Sequence, residues 1–312
     1  MIELPIVDYR LFESASKSDQ EAFAKSFGDG LRTHGFGVVA GHPITRDRIE
    51  RAFSLIEAFF AQSFDFKKRF IVPESEGNRG YVPFGAERAV GAPVADLKEF
   101  FHVGQERPAP GANLLPNCWP THSTAFREEL LALYSDFEIT AKGLLTAIAR
   151  YLGLADDHFS SMITGGDSIL RLIHYPPVAN DAPEGAIRAA AHEDINLITL
   201  LAEGSTGGLE LLGRDGGWHP VSSLRGHLVI NAGDMLQRAS HGRIRSTTHR
   251  VVNPKGENKA RFSIPFFTHP RPDVLLQPMA PEPGYSGPAH TAITAGDYLR
   301  ERLSAIKAPA KS

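Results

Sequence analysis

The stretch Ala189-Ala190-Ala191-His192-Glu193-Asp194 sets an imidazole and a carboxylate two residues apart. On a β-strand, residues i and i+2 project from one face, so His192 and Asp194 converge while Glu193 points away. Two ligands do not close a metal site, and His219, His227, His241, His249 and His269 are the candidates for a third. Residues 244–252 and 260–268 flank Asn253-Pro254-Lys255-Gly256-Glu257-Asn258-Lys259, whose composition reads as a turn. A hairpin folded about Gly256 sets His249 opposite Ser263, with Arg261 two residues along the same face. The same fold sends His241 to Arg271, beyond Pro270 and outside the ladder. Two histidines and one carboxylate on a triangular face, with the other positions open, suit a non-haem Fe(II) that activates oxygen. Arg261-Phe262-Ser263 then gains a use, because a guanidinium fork grips a carboxylate through two parallel hydrogen bonds and a nearby hydroxyl adds a third.

The elements that must carry these residues change character along the chain. Residues 5–8 and 36–40 read as strands, and 18–33 and 45–62 as helices, the second capped by Thr45. Gly35 and Gly41 bracket the 36–40 strand instead of opening a helix after it, so this string does not read as a dinucleotide loop. Residues 77–91 form a loop, and residues 96–105 are compatible with helix or strand. Phe126, Leu130, Leu133, Phe137, Leu144, Ile148 and Leu152 lie on one face of a long helix. From residue 168 the period becomes two: 168–175, 187–194, 196–202, 209–212, 227–231, 244–252 and 261–268 read as short strands separated by turn residues. A helix begun near Thr294 closes the chain. The pattern predicts an α+β protein with a mainly β core, packed N-terminal helices and a C-terminal helix. Residues 1–312 are expected to form a single domain, in which 1–155 are mainly helical and 165–270 form the β core.

The chain has 312 residues, 42% hydrophobic and 22% charged, enough to bury a core without disulfide staples. Lys and Arg number 33 against 36 Asp and Glu, and a net charge of −3 gives no electrostatic reason to expect nucleic acid or an anionic membrane as partner. Cys118 is single, which excludes an intrachain disulfide. The first residues lack the basic and apolar regions of a signal peptide, and no apolar run is long enough for a membrane helix. A cytoplasmic protein is the expectation.

His192-Glu193-Asp194-Ile195-Asn196-Leu197-Ile198-Thr199-Leu200-Leu201, residues 241–254 around His249, and Ala260-Arg261-Phe262-Ser263-Ile264-Pro265-Phe266-Phe267 together resemble the isopenicillin N synthase-like branch of the Fe(II)- and 2-oxoglutarate-dependent oxygenases. Leu4-Pro5-Ile6-Val7-Asp8 and Arg171-Leu172-Ile173-His174-Tyr175-Pro176-Pro177 are similar to segments of the same family. The resemblance implies a double-stranded β-helix, or jelly roll, in which His192, Asp194 and His249 bind iron. It implies that Arg261 and Ser263 hold the distal carboxylate of 2-oxoglutarate, with Tyr175 in the same pocket. It further implies an enzyme that uses O2 to hydroxylate, desaturate or cyclise a small organic molecule, with succinate and CO2 as coproducts. Isopenicillin N synthase shares the Arg-x-Ser string without using 2-oxoglutarate, so an oxidase of that kind is an alternative. A catalytically silent, metal-bound jelly roll acting as a binding module is another, and its usual signature, loss of a ligand or of Arg261, is not met.

Segments that cover the jelly-roll mouth in the family contain Arg79, Tyr81, Phe84, Phe100, Phe101 and His102, and Arg238 follows Gln237 later in the chain. Aromatic rings with one guanidinium suit a small, anionic substrate. Arg79 or Arg238 is expected to meet that anion, since the triad and Arg261 account only for the cosubstrate's charges. Asn231, Gly233 and Asp234 read as a turn at the core.

Overall fold

The computed structural model describes residues 3–89, 91–110, 114–120, 123–202, 207–221, 226–285 and 287–307. Helices start where a hydroxyl can accept from the first free backbone N–H groups. Ser16 accepts from Asp19 at the head of α2 (Lys17–His34), which follows the short α1 (Tyr9–Phe12). Thr45 caps α3 (Arg46–Phe60), Ser63 caps α4 (Phe64–Lys67) and Ser123 caps α5 (Thr124–Tyr151). The short α6 (Ser160–Ile163) and α7 (Asp234–Ala239) precede α8 (Ala295–Lys307). Gly35 ends α2 with φ 69°, and an added Cβ would lie 2.2 Å from Thr247 Oγ1, so the residue is confined to glycine by both torsion and space.

Fourteen strands are found among the described residues: β1 (Ile6–Asp8), β2 (Phe36–Ala40), β3 (Gly80–Val82), β4 (Glu99–Val103), β5 (Ile169–Tyr175), β6 (Ala189–His192), β7 (Ile198–Ala202), β8 (Leu209–Leu212), β9 (Trp218–Pro220), β10 (Leu228–Ala232), β11 (His249–Val251), β12 (Arg261–Phe267), β13 (Leu275–Leu276) and β14 (Ile293–Thr294). The large sheet runs β1-β2-β10-β7-β12-β5-β4-β3 and the small one β6-β11-β8-β9. Every pairing in them is antiparallel except β1 with β2. The two face each other as a jelly roll.

Period-2 alternation divides the large sheet. Ile198, Leu200, Ala202, Leu228, Ile230, Ile264 and Phe266 face outward into one apolar cluster with Phe27, Leu31, Ile56, Phe137 and Leu144 of the helices. Their neighbours Thr199, Leu201, Asn231, Arg261, Ser263 and Pro265 line the cleft between the sheets. The helices thus cover one face, leaving the other free for polar chemistry. No helix among the described residues is long and apolar enough to cross a membrane.

Four expectations need correction. β11 and β12 are not a hairpin: β11 pairs with β6 and β8, whereas β12 pairs with β5 and β7 in the other sheet. The chain from 252 to 260 crosses between sheets, so His249 and Ser263 face one cleft from opposite walls. Residues 244–248 are not strand, and β6 ends at His192, so Asp194 lies past the strand that was to carry it. Asp234 opens the helix α7 where only a turn was expected. The ambiguous 96–105 segment contains the strand β4.

Phe266 joins the layers, stacking on Phe137 at 5.5 Å and meeting Tyr134 edge-on at 5.0 Å. Phe266→Ala is expected to cost about 3–5 kcal/mol in urea unfolding. Loss of cosubstrate affinity should accompany it, because Arg261 and Ser263 ride on the same strand; a loss under 1 kcal/mol would refute the inter-layer role.

Candidate active site

His192, Asp194 and His249 each offer a ligand atom, and these atoms lie within 4.8 Å of one another. β6 and β11 set the imidazoles side by side, with His192 paired to His249 in register and ring centroids 4.5 Å apart. Each Nδ1 faces a backbone carbonyl, Ala190 O at 2.7 Å for His192 and Thr247 O at 3.1 Å for His249. A carbonyl only accepts, so each Nδ1 carries the hydrogen and each Nε2 keeps a lone pair for a metal. Those Nε2 atoms stand 3.7 and 3.8 Å from Asp194 Oδ1. Burial, and secondarily His249, push the His192 pKa down to about 4, so the ring is neutral near pH 7.

Asp194 is oriented by its far oxygen. Thr199 Oγ1 donates to Oδ2 at 2.5 Å and Asn231 Nδ2 at 2.8 Å, leaving Oδ1 for the histidines. Burial alone would raise this carboxyl's pKa, but His249, His192 and these two donors hold it below its ordinary value. The Asn231–Asp234 turn wraps the same residue, with Asp234 N–H donating to Asp194 O at 2.8 Å. A Cβ on Gly233 would lie 2.2 Å from Asn196 Oδ1, so only glycine closes the turn. Two imidazoles, one fixed carboxylate and hydrogen bonds to their outer atoms form a donor set fitted to Fe(II).

The cleft between the sheets lies on one side of this triad. Arg261 and Ser263 reach it from β12 and Tyr175 from β5, all three buried. Arg261 and Tyr175 are register partners, with the guanidinium carbon 5.0 Å from the ring centroid. The sequence-based grouping of Arg261, Ser263 and Tyr175 beside the triad is therefore met in space. Of the other candidate histidines, His219 pairs with Asp215 and His241 bonds Met279 O, while His269 lines the cavity on the far side of the triad.

On the other side, a cavity of about 450 Å³ is lined by His192 and Asp194 together with Lys98, His102, Asp167, Arg171 and His269. Of the residues expected near the mouth, His102 lines it. Phe100 packs beneath, with its ring 4.3 Å from the Arg171 guanidinium carbon. Tyr81 and Phe101 belong to the apolar core instead, and Tyr81 donates its hydroxyl hydrogen to Glu99. Phe84 is exposed. Arg79 is buried behind the cavity, where it donates to Asp167 at 2.9 Å, Asn78 O at 2.7 Å and Leu115 O at 3.0 Å. Arg238 lies over Tyr298 and donates to Thr291 O. Neither arginine lines the cavity: partners within the fold take up the donors of Arg79, and Arg238 lies against Tyr298.

The cations that do line it are Arg88, Lys98, Arg171 and Arg302, none foreseen, and of these Lys98 and Arg171 are the least exposed. Arg171 is clamped between Phe100 and Phe267, the latter 5.1 Å away, and its Nε donates to His102 Nε2 at 2.5 Å. His102 can accept there because its Nδ1 donates to Gly77 O at 2.7 Å, and burial holds the ring neutral. Lys98 Nζ is buried between Asp96, 2.8 Å away, and Glu87, 2.6 Å away. Alternation held the signal for Arg171, which shares a strand face with Ile173 and Tyr175.

Residues 166–270 match the 2OG-Fe(II) oxygenase superfamily, and residues 4–122 match the family described as non-haem dioxygenase in morphine synthesis N-terminal. The proline hydroxylase buaE of Petromyces alliaceus is 33% identical over 89% of this chain and 91% of its own length. A solved 2OG-Fe(II) oxygenase family protein from Caulobacter crescentus superposes with a TM-score of 0.85 and 39% identity, covering 98% of this chain and all of that one, 100%. A full-length Neurospora crassa protein solved with alpha-KG and thymine gives 0.86 and 29%, covering 97% and 96%.

Asn231→Ala removes one of the two donors that aim Asp194. Divalent-metal affinity, measured by competition with a chromogenic chelator, is expected to fall about 10- to 100-fold. Unchanged affinity would mean that Thr199 alone orients the carboxylate.

Proposed function

The chain belongs to the 2OG-Fe(II) oxygenase superfamily, and on that premise we propose that His192, Asp194 and His249 hold Fe(II), that Arg261, Ser263 and Tyr175 hold 2-oxoglutarate, and that the substrate is a compact nitrogen heterocycle bearing a carboxylate. The enzyme is an Fe(II)- and 2-oxoglutarate-dependent dioxygenase. The observation that carries the site assignment is the division of space around the triad, with a buried cleft reaching Arg261 on one side and a larger cavity on the other, Lys98 and Arg171 standing where the two meet.

When bound, Fe(II) with 2-oxoglutarate and O2 supplies oxidation of a C–H bond, with succinate and CO2 as coproducts. The chain's residues position and shield. Arg261 and Ser263 offer a guanidinium fork and a hydroxyl from adjacent same-face positions of β12, in a cleft where little water competes. The imidazoles and Asp194 fix a triangular donor face and leave the remaining positions open to cosubstrate and oxygen. Alanine, leucine and valine side chains of β6, β7, β8 and β11 complete the cleft and exclude water.

The substrate reading rests on the larger cavity. Its volume suits a small organic molecule. Arg171 presents a fixed guanidinium, with Nη2 making no hydrogen bond among the described residues. Asp167, steadied by Arg79, offers an acceptor for a ring N–H, and His269 lines the same wall with its Nδ1 unpartnered among the described residues. Proline, in the name of one relative, and thymine, bound in another's structure, are both compact nitrogen rings. The relatives support 2-oxoglutarate dependence over the oxidase alternative, and the intact triad and Arg261 speak against a silent binding module.

Anaerobic titration with Fe(II) and 2-oxoglutarate, followed by visible absorbance, tests the site. His192→Ala, Asp194→Ala and His249→Ala should each abolish the charge-transfer band, while His241→Ala keeps it. The reverse outcome for the two histidines would overturn the ligand choice. Arg261→Ala should weaken 2-oxoglutarate by about 2–5 kcal/mol, the usual effect of truncating one partner of a buried charge pair.

Succinate release across imino acids and pyrimidines tests the substrate. Arg171→Met should raise KM for carboxylate-bearing substrates at least tenfold and leave 2-oxoglutarate affinity unchanged. A best substrate lacking a carboxylate would refute the class.

A further inference from the structure

Of the four cations that line the substrate cavity, Lys98 and Arg171 are the least exposed, and the two carboxylates that neutralise them are built differently. Asp96 is a fixed part of the wall. It is buried, its Oδ1 accepts from the Ala190 N–H at 2.9 Å, and its Oδ2 accepts from Lys98 at 2.8 Å. Glu87 comes from the connection between β3 and β4, and its side chain remains 33% exposed. A single oxygen, Oε2, serves both cations, 2.6 Å from Lys98 Nζ and 3.2 Å from Arg171 Nη1. Its backbone is held separately, with Glu87 O accepting from Asp96 N–H at 3.0 Å. Rotation of the side chain alone would free the cations without moving the loop.

Resting on the substrate class proposed above, we infer that Glu87 is an internal stand-in for the substrate's carboxylate, and that a substrate carboxylate reaches Arg171 and Lys98 by displacing it. The charge count requires the exchange. Lys98, Arg171, Asp96 and Glu87 sum to zero, and His102 beside Arg171 stays neutral. An additional carboxylate would leave the group at −1, in a cavity also lined by Asp167, Glu193 and Asp194, where Arg88 is exposed to solvent and Arg302 is already paired with Asp234. When Glu87 turns out to solvent, the newcomer restores neutrality. Asp96 cannot take the outgoing role, because its second oxygen holds β6 through Ala190. Arg171 keeps its plane throughout, since Phe100, Phe267 and His102 fix it independently of Glu87. A neutral ligand gains nothing from the exchange, so Glu87 makes the cavity discriminate by charge.

The test uses protein loaded anaerobically with Fe(II) and 2-oxoglutarate, titrated calorimetrically with cyclopentanecarboxylate and with cyclopentanecarboxamide. Glu87→Gln keeps the shape and removes the competing charge. It should bind the carboxylate at least tenfold more tightly than the wild type does, and the carboxamide equally well. Glu87→Ala should behave likewise, and adding Arg171→Met to Glu87→Gln should abolish the gain. Equal carboxylate affinity in wild type and Glu87→Gln, a parallel gain for the carboxamide, or no saturable carboxylate binding by either Glu87 variant would overturn the inference. The charge-transfer band of the loaded protein reports separately on the Fe(II) and 2-oxoglutarate assignment, so failure there is distinguishable from failure of the exchange.

Discussion

The hydrogen bonds from Thr199 and Asn231 to Asp194 Oδ2 are the interaction on which this architecture turns. They come from β7 and β10 of the large sheet, while the imidazoles that meet Asp194 Oδ1 come from β6 and β11 of the small one. One carboxylate therefore ties the two walls together at the only place where the described residues gather a His/Asp ligand set. A buried carboxylate is costly unless its oxygens are satisfied. Here one oxygen is fully committed to the scaffold, and the other is aimed at two imidazole nitrogens. The same partners that make its burial tolerable set its direction, so stability and metal geometry have a common origin.

Outward from that point, each polar residue falls on the face that strand alternation assigns to it. Thr199, Asn231, Arg261, Ser263 and Tyr175 all occupy inward positions whose neighbours pack beneath the helices. The long stripe of α5 matters to the site through this alternation. By covering one face of β12 and β5, it obliges Arg261 and Tyr175 to face the cleft. Covering strand Arg171 follows the same rule two turns of the pleat away, which is why one strand serves both the cleft and the cavity.

Local pattern made much of this legible, and long-range topology did not. The His192–Asp194 spacing, the α5 stripe, the Thr45 cap and most strands follow from periodicity, because those forces act between near neighbours. His249 was chosen through a hairpin that does not exist. The choice agrees with the observed cluster only because the crossover between sheets returns the chain to the same cleft from the opposite wall. Turn-forming residues at 253–259 specify a change of direction without saying which sheet receives the next strand. Arg79 shows a second gap. Its residue type fitted an anion site, yet Asp167 and two backbone carbonyls had already claimed it. Whether a cation is available depends on partners distant in sequence, and spacing does not report them.

Two of the arginines that face the site, Arg261 and Arg171, differ in setting. Arg261 is sealed in a narrow cleft beside Tyr175, and burial lowers its pKa without bringing it near neutrality at physiological pH. A cation so placed favours one invariant anion of fixed size, which is what a cosubstrate common to every turnover provides. Arg171 stands in a larger cavity with its stem clamped and its charge already met by Glu87 on an exposed loop. That arrangement tolerates an interchangeable partner. Chemistry needs both ligands to converge on one metal face, and the fold achieves this by alternating inward positions on β12 and β5. On the proposed assignment the invariant ligand falls to the closed, buried pocket, and the variable one to the cavity whose counter-charge is partly exposed.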